Sequence, residues 1–126
     1  MQWRACREMN YRIVEEDGFY LIEVSGKTRK NEAVMARRCL FPYFKETGIR
    51  LIIDMKELEK FEPITVVGVL SSIRKEINLL RGDLKLCSLN PEIMGYITQN
   101  RLDHLFHIYE NREIAKKSQG GNDGKQ

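Results

Sequence analysis

The sequence lacks the features that mark membrane-spanning, secreted and disulfide-rich proteins. It has no apolar run near the roughly 18 residues that a membrane helix needs, and its first six residues do not form the apolar core of a signal peptide. It has 3 cysteines, an odd number without a Cys-x-x-Cys pair, so neither a disulfide framework nor a cysteine-rich zinc site is indicated. We therefore expect a cytoplasmic protein without membrane insertion.

The chain also lacks an excess of charge of one sign. Its 126 residues include 21 basic and 18 acidic side chains, mixed along the sequence, for a net charge of +3. Nucleic-acid binding usually requires a far more one-sided basic surface, so no nucleic-acid partner is predicted. Hydrophobic residues make up 42% of the chain, which is enough for one packed core.

The composition divides the chain into one domain and two ends. We expect an N-terminal extension over residues 1–9, a domain over residues 10–116 and a polar, glycine-rich tail over residues 117–126. Such a tail cannot bury enough apolar surface to offset its chain entropy, which predicts a mobile end. Met9 is an alternative start of the native chain.

The hydrophobic pattern predicts an α/β fold. Alternating or continuous apolar runs predict strands at residues 11–15, 19–25, 49–54, 84–89 and 106–109, with Asp17-Gly18 as the turn of an opening β-hairpin. Helical spacing predicts helices at residues 33–44, 65–80, 91–97 and 111–115. Strands that alternate with helices imply a mixed, mostly parallel sheet of about five strands with about four helices.

Three residues interrupt or end the predicted helices. Pro42 should kink or end the first helix near residue 41, because proline lacks an amide hydrogen and crowds the preceding turn. Gly82 should stop the second helix. Gly68 lies inside that helix, where glycine costs about 1 kcal/mol relative to alanine, and it predicts close packing of the backbone against the sheet.

Five stretches stand out together with the order and spacing of these elements: Val24-Ser25-Gly26, residues 51–54, the helix at 65–80, and residues 86–92 and 102–110. In combination they resemble the STAS domain, which is shared by bacterial anti-sigma-factor antagonists and the cytoplasmic part of sulfate transporters. The resemblance covers roughly residues 11–116. It implies a non-catalytic protein that works by binding another protein.

The resemblance also implies that a phosphorylation switch is lost. In the switched members of that family, the loop after the central strand carries Asp-Ser-x-Gly, with the serine at the start of the next helix. Alignment on Asp54 places this motif on Glu62-Pro63-Ile64-Thr65, so Pro63 stands at the acceptor position and Thr65 at the glycine position. Thr65 is either a displaced phosphosite or a local hydrogen-bond partner of the backbone.

The resemblance further implies a partner-binding surface on the loop of residues 57–63 and the start of the next helix. The residues expected there are Glu57, Glu59, Phe61, Glu62, Pro63, Ile64, Thr65 and Gly68. The implied partner is an anti-sigma kinase or another bacterial regulatory protein, without a cofactor, and a homodimer is a further option. The alternative in the same family is a structural or small-ligand-binding subunit of a transport complex.

A nucleotide-binding enzyme is a weaker alternative. Ser25-Gly26-Lys27-Thr28 follows a predicted strand and precedes a predicted helix, where a phosphate-binding loop would lie. That loop needs a glycine five residues before Gly26 so that successive amides can wrap the phosphates. Leu21 stands at that position, inside the strand, so the sequence does not favour nucleotide hydrolysis.

The two histidines do not predict a metal or acid–base site. Asp103, His104 and His107 are close in sequence, and Cys87 lies elsewhere. If the two histidines shared a strand, their odd separation would put them on opposite faces, and the ligand spacing of a zinc enzyme is not found nearby. We therefore predict no catalytic residue and no metal site.

Overall fold

One mixed sheet organises the protein, for which the computed structural model describes residues 4–6, 9–27, 40–60 and 62–118. Within these ranges the strands are β1 (Arg4–Cys6), β2 (Met9–Glu16), β3 (Phe19–Lys27), β4 (Arg50–Lys60), β5 (Asp83–Cys87) and β6 (His107–Tyr109). Their order in the sheet follows the chain; β1, β2 and β3 pair antiparallel and β3 to β6 pair parallel. The α-helices are α1 (Pro63–Leu79), α2 (Pro91–Gln99) and α3 (Arg112–Lys117). The predicted fold class is confirmed.

The sheet is larger than the sequence predicts in two places. β1 lies within the predicted N-terminal extension of residues 1–9 and pairs with the start of β2, so the described sheet has six strands where about five are predicted. β4 continues to Lys60, so the loop predicted to begin at Glu57 is wrong for residues 57–60. The sequence misses this extension because charged residues flank Leu58, and the apolar run typical of a buried strand ends at Asp54.

The opening hairpin is confirmed. Asp17 and Gly18 form its two-residue turn with φ values of 54° and 83°, the left-handed conformation that the tight hairpin turn requires. From this turn β2 and β3 pair without interruption, from Glu16 opposite Phe19 to Met9 opposite Gly26.

Residues 33–39 of the first predicted helix lie outside the described residues. Its predicted end is described, and Leu40 and Phe44 are both buried there. Pro42 lies within a short 3-10 turn, Phe41–Tyr43, which fits the prediction that proline disturbs the helix. Residues 119–126 of the predicted tail also lie outside the described residues.

Local signals fix the ends of the other helices. Asn90 caps α2, since its side-chain Oδ1 accepts a hydrogen bond of 3.0 Å from the amide of Ile93. α1 ends at Leu79, just before Gly82, where a Cβ atom would lie 2.3 Å from the carbonyl oxygen of Ile49. Glycine is therefore required by this close approach.

None of the described helices is both long enough and apolar enough to cross a membrane.

The two faces of the sheet are covered differently. α1 and α2 pack on one face, where the larger core includes Leu51, Ile53, Ile73, Leu86 and Ile97. On the opposite face, Ala115 of α3 packs on a smaller group of side chains. We call this group the second core; it consists of Phe19, Leu21, Ile52, Cys87 and Ala115.

Candidate functional site

Pro63 lies at the corner between the end of β4 and the start of α1. It is the first residue of α1, and Glu62 before it is the N-cap residue in an extended conformation, with φ −101° and ψ 122°. The carbonyl oxygen of Glu62 accepts the helix hydrogen bond from the amide of Val66 at 3.0 Å. Proline suits this position because its φ is helical and the amide it lacks would have no helical acceptor. We call residues 57–68 the β4–α1 corner.

Thr65 faces inward at this corner. Its side chain is 9% exposed, and its hydroxyl donates a hydrogen bond of 3.0 Å to Oε1 of Glu62. The threonine therefore ties the N-cap residue to the first helical turn. A phosphate on this hydroxyl would have to leave the core and would lie beside a carboxylate, which repels it.

Ile64 and Gly68 face outward. The side chain of Ile64 is 66% exposed, and Gly68 lies one turn further along the same helix face. A Cβ atom at Gly68 would meet nothing within 4 Å among the described residues, so the prediction that Gly68 packs closely on the sheet is wrong. The buried face of α1 is instead formed by Val66, Ile73 and their neighbours. The start of α1 thus presents an apolar, low-relief surface.

The strand side of the corner is acidic at two of its positions. Glu57 and Glu59 are exposed on the last part of β4, where Glu57 pairs with Ser25 of β3. Phe61 lies outside the described residues. The structure thus places Glu57 and Glu59 on a strand and Glu62 at the helix cap, instead of on one continuous loop.

The Gly-Lys-Thr fragment and the two histidines, which the sequence analysis considered as possible sites, lie in strands and turns where the structure describes them. Gly26 and Lys27 belong to β3 and pair with Leu58 and Lys60 of β4, so the described part of the Gly-Lys-Thr fragment is strand and not a phosphate-binding loop. Thr28 lies outside the described residues. His107 lies on β6 and His104 precedes it, so the two histidines do not share a strand.

A row of charged side chains crosses the face of the sheet under α3, and the sequence analysis missed it. Arg12, Glu23 and Asp54 are successive cross-strand partners on β2, β3 and β4. Arg112 of α3 donates from Nη2 to Oδ2 of Asp54 at 3.0 Å and also to Glu23, which pairs with Arg12 as well. Burial alone would raise the pKa of Glu23, but the hydrogen bonds from Arg112 and Arg12 outweigh it and lower that pKa. The signal available in the sequence was the opposite charges on neighbouring strands. Which of these charges face each other depends on the strand register, which the sequence does not give.

Lys85 is a second residue that the sequence analysis missed. It lies in the middle of β5 and is fully buried. Its Nζ donates to the carbonyl oxygens of Ala115 at 2.9 Å and Ser118 at 3.2 Å, and Oδ2 of Asp83 lies 3.9 Å away. Burial lowers the pKa of Lys85. A lysine within an apolar strand was the available signal, since the charge must find partners if it is buried.

Comparisons with known proteins agree with this architecture. A family model described as the STAS domain matches residues 10–115. An anti-sigma-factor antagonist (STAS) domain protein from Planctomyces limnophilus superposes with a TM-score of 0.70 at 19% identity, covering 84% of this chain and 94% of that one. An anti-sigma factor antagonist from Mycobacterium paratuberculosis gives a TM-score of 0.71 at 18% identity, with 85% and 90% covered. A comparison with curated proteins found no match.

A third solved structure is the anti-sigma factor antagonist SpoIIAA in its unphosphorylated form. It superposes with a TM-score of 0.63 at 14% identity, covering 85% of this chain and 94% of that one. At such low identities the superpositions show a shared fold. The family model matches most of the chain, so this match identifies the family as well as the fold.

Proposed function

Because the chain belongs to the STAS domain family, we propose that it is a non-catalytic regulatory domain that binds a protein partner through the β4–α1 corner. In this proposal the partner is an anti-sigma kinase or another regulatory protein of the cytoplasm. Binding is not controlled by phosphorylation of a serine at this corner. The solved structures it superposes on include anti-sigma-factor antagonists, which supports this class of partner.

The observation that carries the proposal is the position of Pro63 at the first residue of α1. A phosphate at a helix N-terminus meets unpaired backbone amides and the positive end of the helix dipole, so a hydroxyl at this position is well placed to act as a switch. Proline offers neither a hydroxyl nor an amide hydrogen, yet it keeps the helix intact. Position 63 therefore keeps the start of α1 helical without a side chain that a kinase can modify.

The side chains around Pro63 support a role in docking. Ile64 is 66% exposed, and Gly68 on the same helix face leaves room for an approaching side chain. An exposed isoleucine beside a position without a side chain allows a partner to bury apolar area there. Thr65 does not contribute to this surface, because its hydroxyl is engaged with Glu62 inside the corner.

The docking role is tested by a charge placed on the proposed surface. Ile64→Asp should reduce the capture of the native partner at least about tenfold, because an aspartate cannot be buried there without loss of hydration. Leu79→Asp is the matched control, since Leu79 is 73% exposed on the far end of the same helix. Capture is measured by quantitative mass spectrometry of proteins retained from the native host by the tagged wild type and both variants. Equal capture by wild type and Ile64→Asp would contradict the proposal.

The missing switch is tested separately with the captured kinase and ATP. The intact mass of the wild type should stay unchanged, whereas Pro63→Ser should gain one phosphate at position 63. Peptide mapping locates any added group. A phosphate on Thr65 of the wild type would mean that the switch has moved two residues into the helix, and the proposal of an uncontrolled corner would be wrong.

A further inference from the structure

α3 is too short, and buries too little apolar surface, to be stable without its charged contacts. It has six residues, whereas isolated helices shorter than about 12 to 15 residues are marginal in water. Ala115 is its one buried residue, and Ile114 is 42% exposed. Apolar burial therefore contributes little to holding α3 on the sheet.

Charged contacts instead hold α3 at both ends and along its length. At its start, Arg112 binds Asp54 and Glu23; near its end, Nζ of Lys116 lies 2.7 Å from Glu16 and 3.1 Å from Asp17. The carbonyl oxygens of Ala115 and Ser118 accept from the buried Nζ of Lys85. The hydrogen bond to Glu16 is the main cause that raises the pKa of Lys116, so the contact favours its charged form. These contacts connect α3 to β2, β3, β4, β5 and the hairpin turn.

The second core lies under this helix. Cys87 is fully buried there, in the same cluster as Ala115. Burial raises the pKa of the Cys87 thiol to about 11. The larger core lies on the opposite face of the sheet and includes no residue of α3, so it does not depend on this helix.

We propose that α3 is a charge-held strap that opens as a unit and uncovers the second core while the rest of the sheet stays folded. Elements held by few buried apolar contacts open at lower free energy than the global transition. Lys116 pairs with the exposed carboxylates of Glu16 and Asp17, which salt screens, whereas the Arg112 pairs are largely buried and are screened less. The opening therefore responds to ionic strength through Lys116. The opening of α3 is independent of partner binding at the β4–α1 corner, because the two involve different residues.

The experiment measures how fast a maleimide reagent reacts with Cys87 in the full-length protein. Peptide mass spectrometry quantifies the adduct at Cys87, so the other cysteines can remain in place. Lys116→Gln should raise the labelling rate about threefold to tenfold, because it removes the contact to the hairpin. Lys117→Gln, at the exposed neighbouring position, is the matched control and should change the rate less than about twofold. Raising sodium chloride from about 0.05 to about 0.5 M should accelerate labelling of the wild type.

Amide hydrogen exchange in β4 and β5 reports whether the sheet stays folded. Each rate is divided by the rate of the same group in the urea-unfolded protein, which gives the free energy of the opening that exposes it. The proposal expects a smaller opening free energy at Cys87 than at the slowest amides of these strands. Equal opening free energies would overturn it. Equal labelling rates for Lys116→Gln and Lys117→Gln would also overturn it, because the strap would then not be held by charge.

Discussion

Glu23 links two arginines that come from different parts of the chain. Arg12 reaches it from the neighbouring strand and Arg112 from α3. Because these contacts hold the pKa of Glu23 below its ordinary value of 4.5, the unfolded chain takes up a proton at this position before the folded protein does. The contribution of Glu23 to stability is therefore fully present above about pH 4.5 and is lost as the pH falls through its folded-state pKa.

Glu23→Gln should lower the free energy of unfolding at neutral pH by about 2 kcal/mol, because hydrogen bonds to a charged group are lost. It should also make that free energy fall less steeply between about pH 5 and about pH 3 than it does in the wild type. Urea unfolding over this pH range measures both effects. Glu113→Gln is the control, because Glu113 is exposed on α3. Parallel pH profiles for Glu23→Gln and the wild type would contradict this account.

The surroundings of Gly68 in α1 leave room for a side chain, whereas those of Gly82, which follows α1, do not. Gly68→Ala should raise the free energy of unfolding by about 1 kcal/mol, since a Cβ atom there meets nothing within 4 Å among the described residues and alanine favours the helix. Gly82→Ala should lower it, because the added Cβ would lie 2.3 Å from the carbonyl oxygen of Ile49. Thermal unfolding of the two variants measures the contrast. Destabilisation by Gly68→Ala would show that the helix face is covered.

Element boundaries were predictable where a local residue sets them. Asp17-Gly18 fixes the hairpin turn, and Asn90 followed by proline fixes the start of α2. The end of β4 was not predictable, because residues 57–60 are held in the sheet by pairing with β3 and not by their own apolar pattern. β1 was missed for the same reason, since its three residues are a strand only through their pairing with β2.

At the scale of the whole molecule, the sequence predicted the layers of the fold but not how charge is distributed between them. Apolar periodicity is enough to assign Ile53 and Ile73 to one core. The partners of Asp54 and Lys85 depend on the register of four strands and on where α3 lies, and neither can be read from spacing along the chain. Pro63 was placed at the helix start by the resemblance to the STAS domain, whereas helical spacing alone predicted a helix over residues 65–80.

β4 is longer than the strand beside it, and this has a consequence for association between copies. Its pairing with β5 ends at Asp54, so within the described chain the following residues are paired only on the β3 side. An open strand edge is a template for cross-β assembly, and charged side chains are a common protection against it. Lys56, Glu57 and Glu59 are all exposed on this segment. Bringing two such edges together would take charged side chains of both signs out of water, and the free-energy cost of their desolvation disfavours fibril growth.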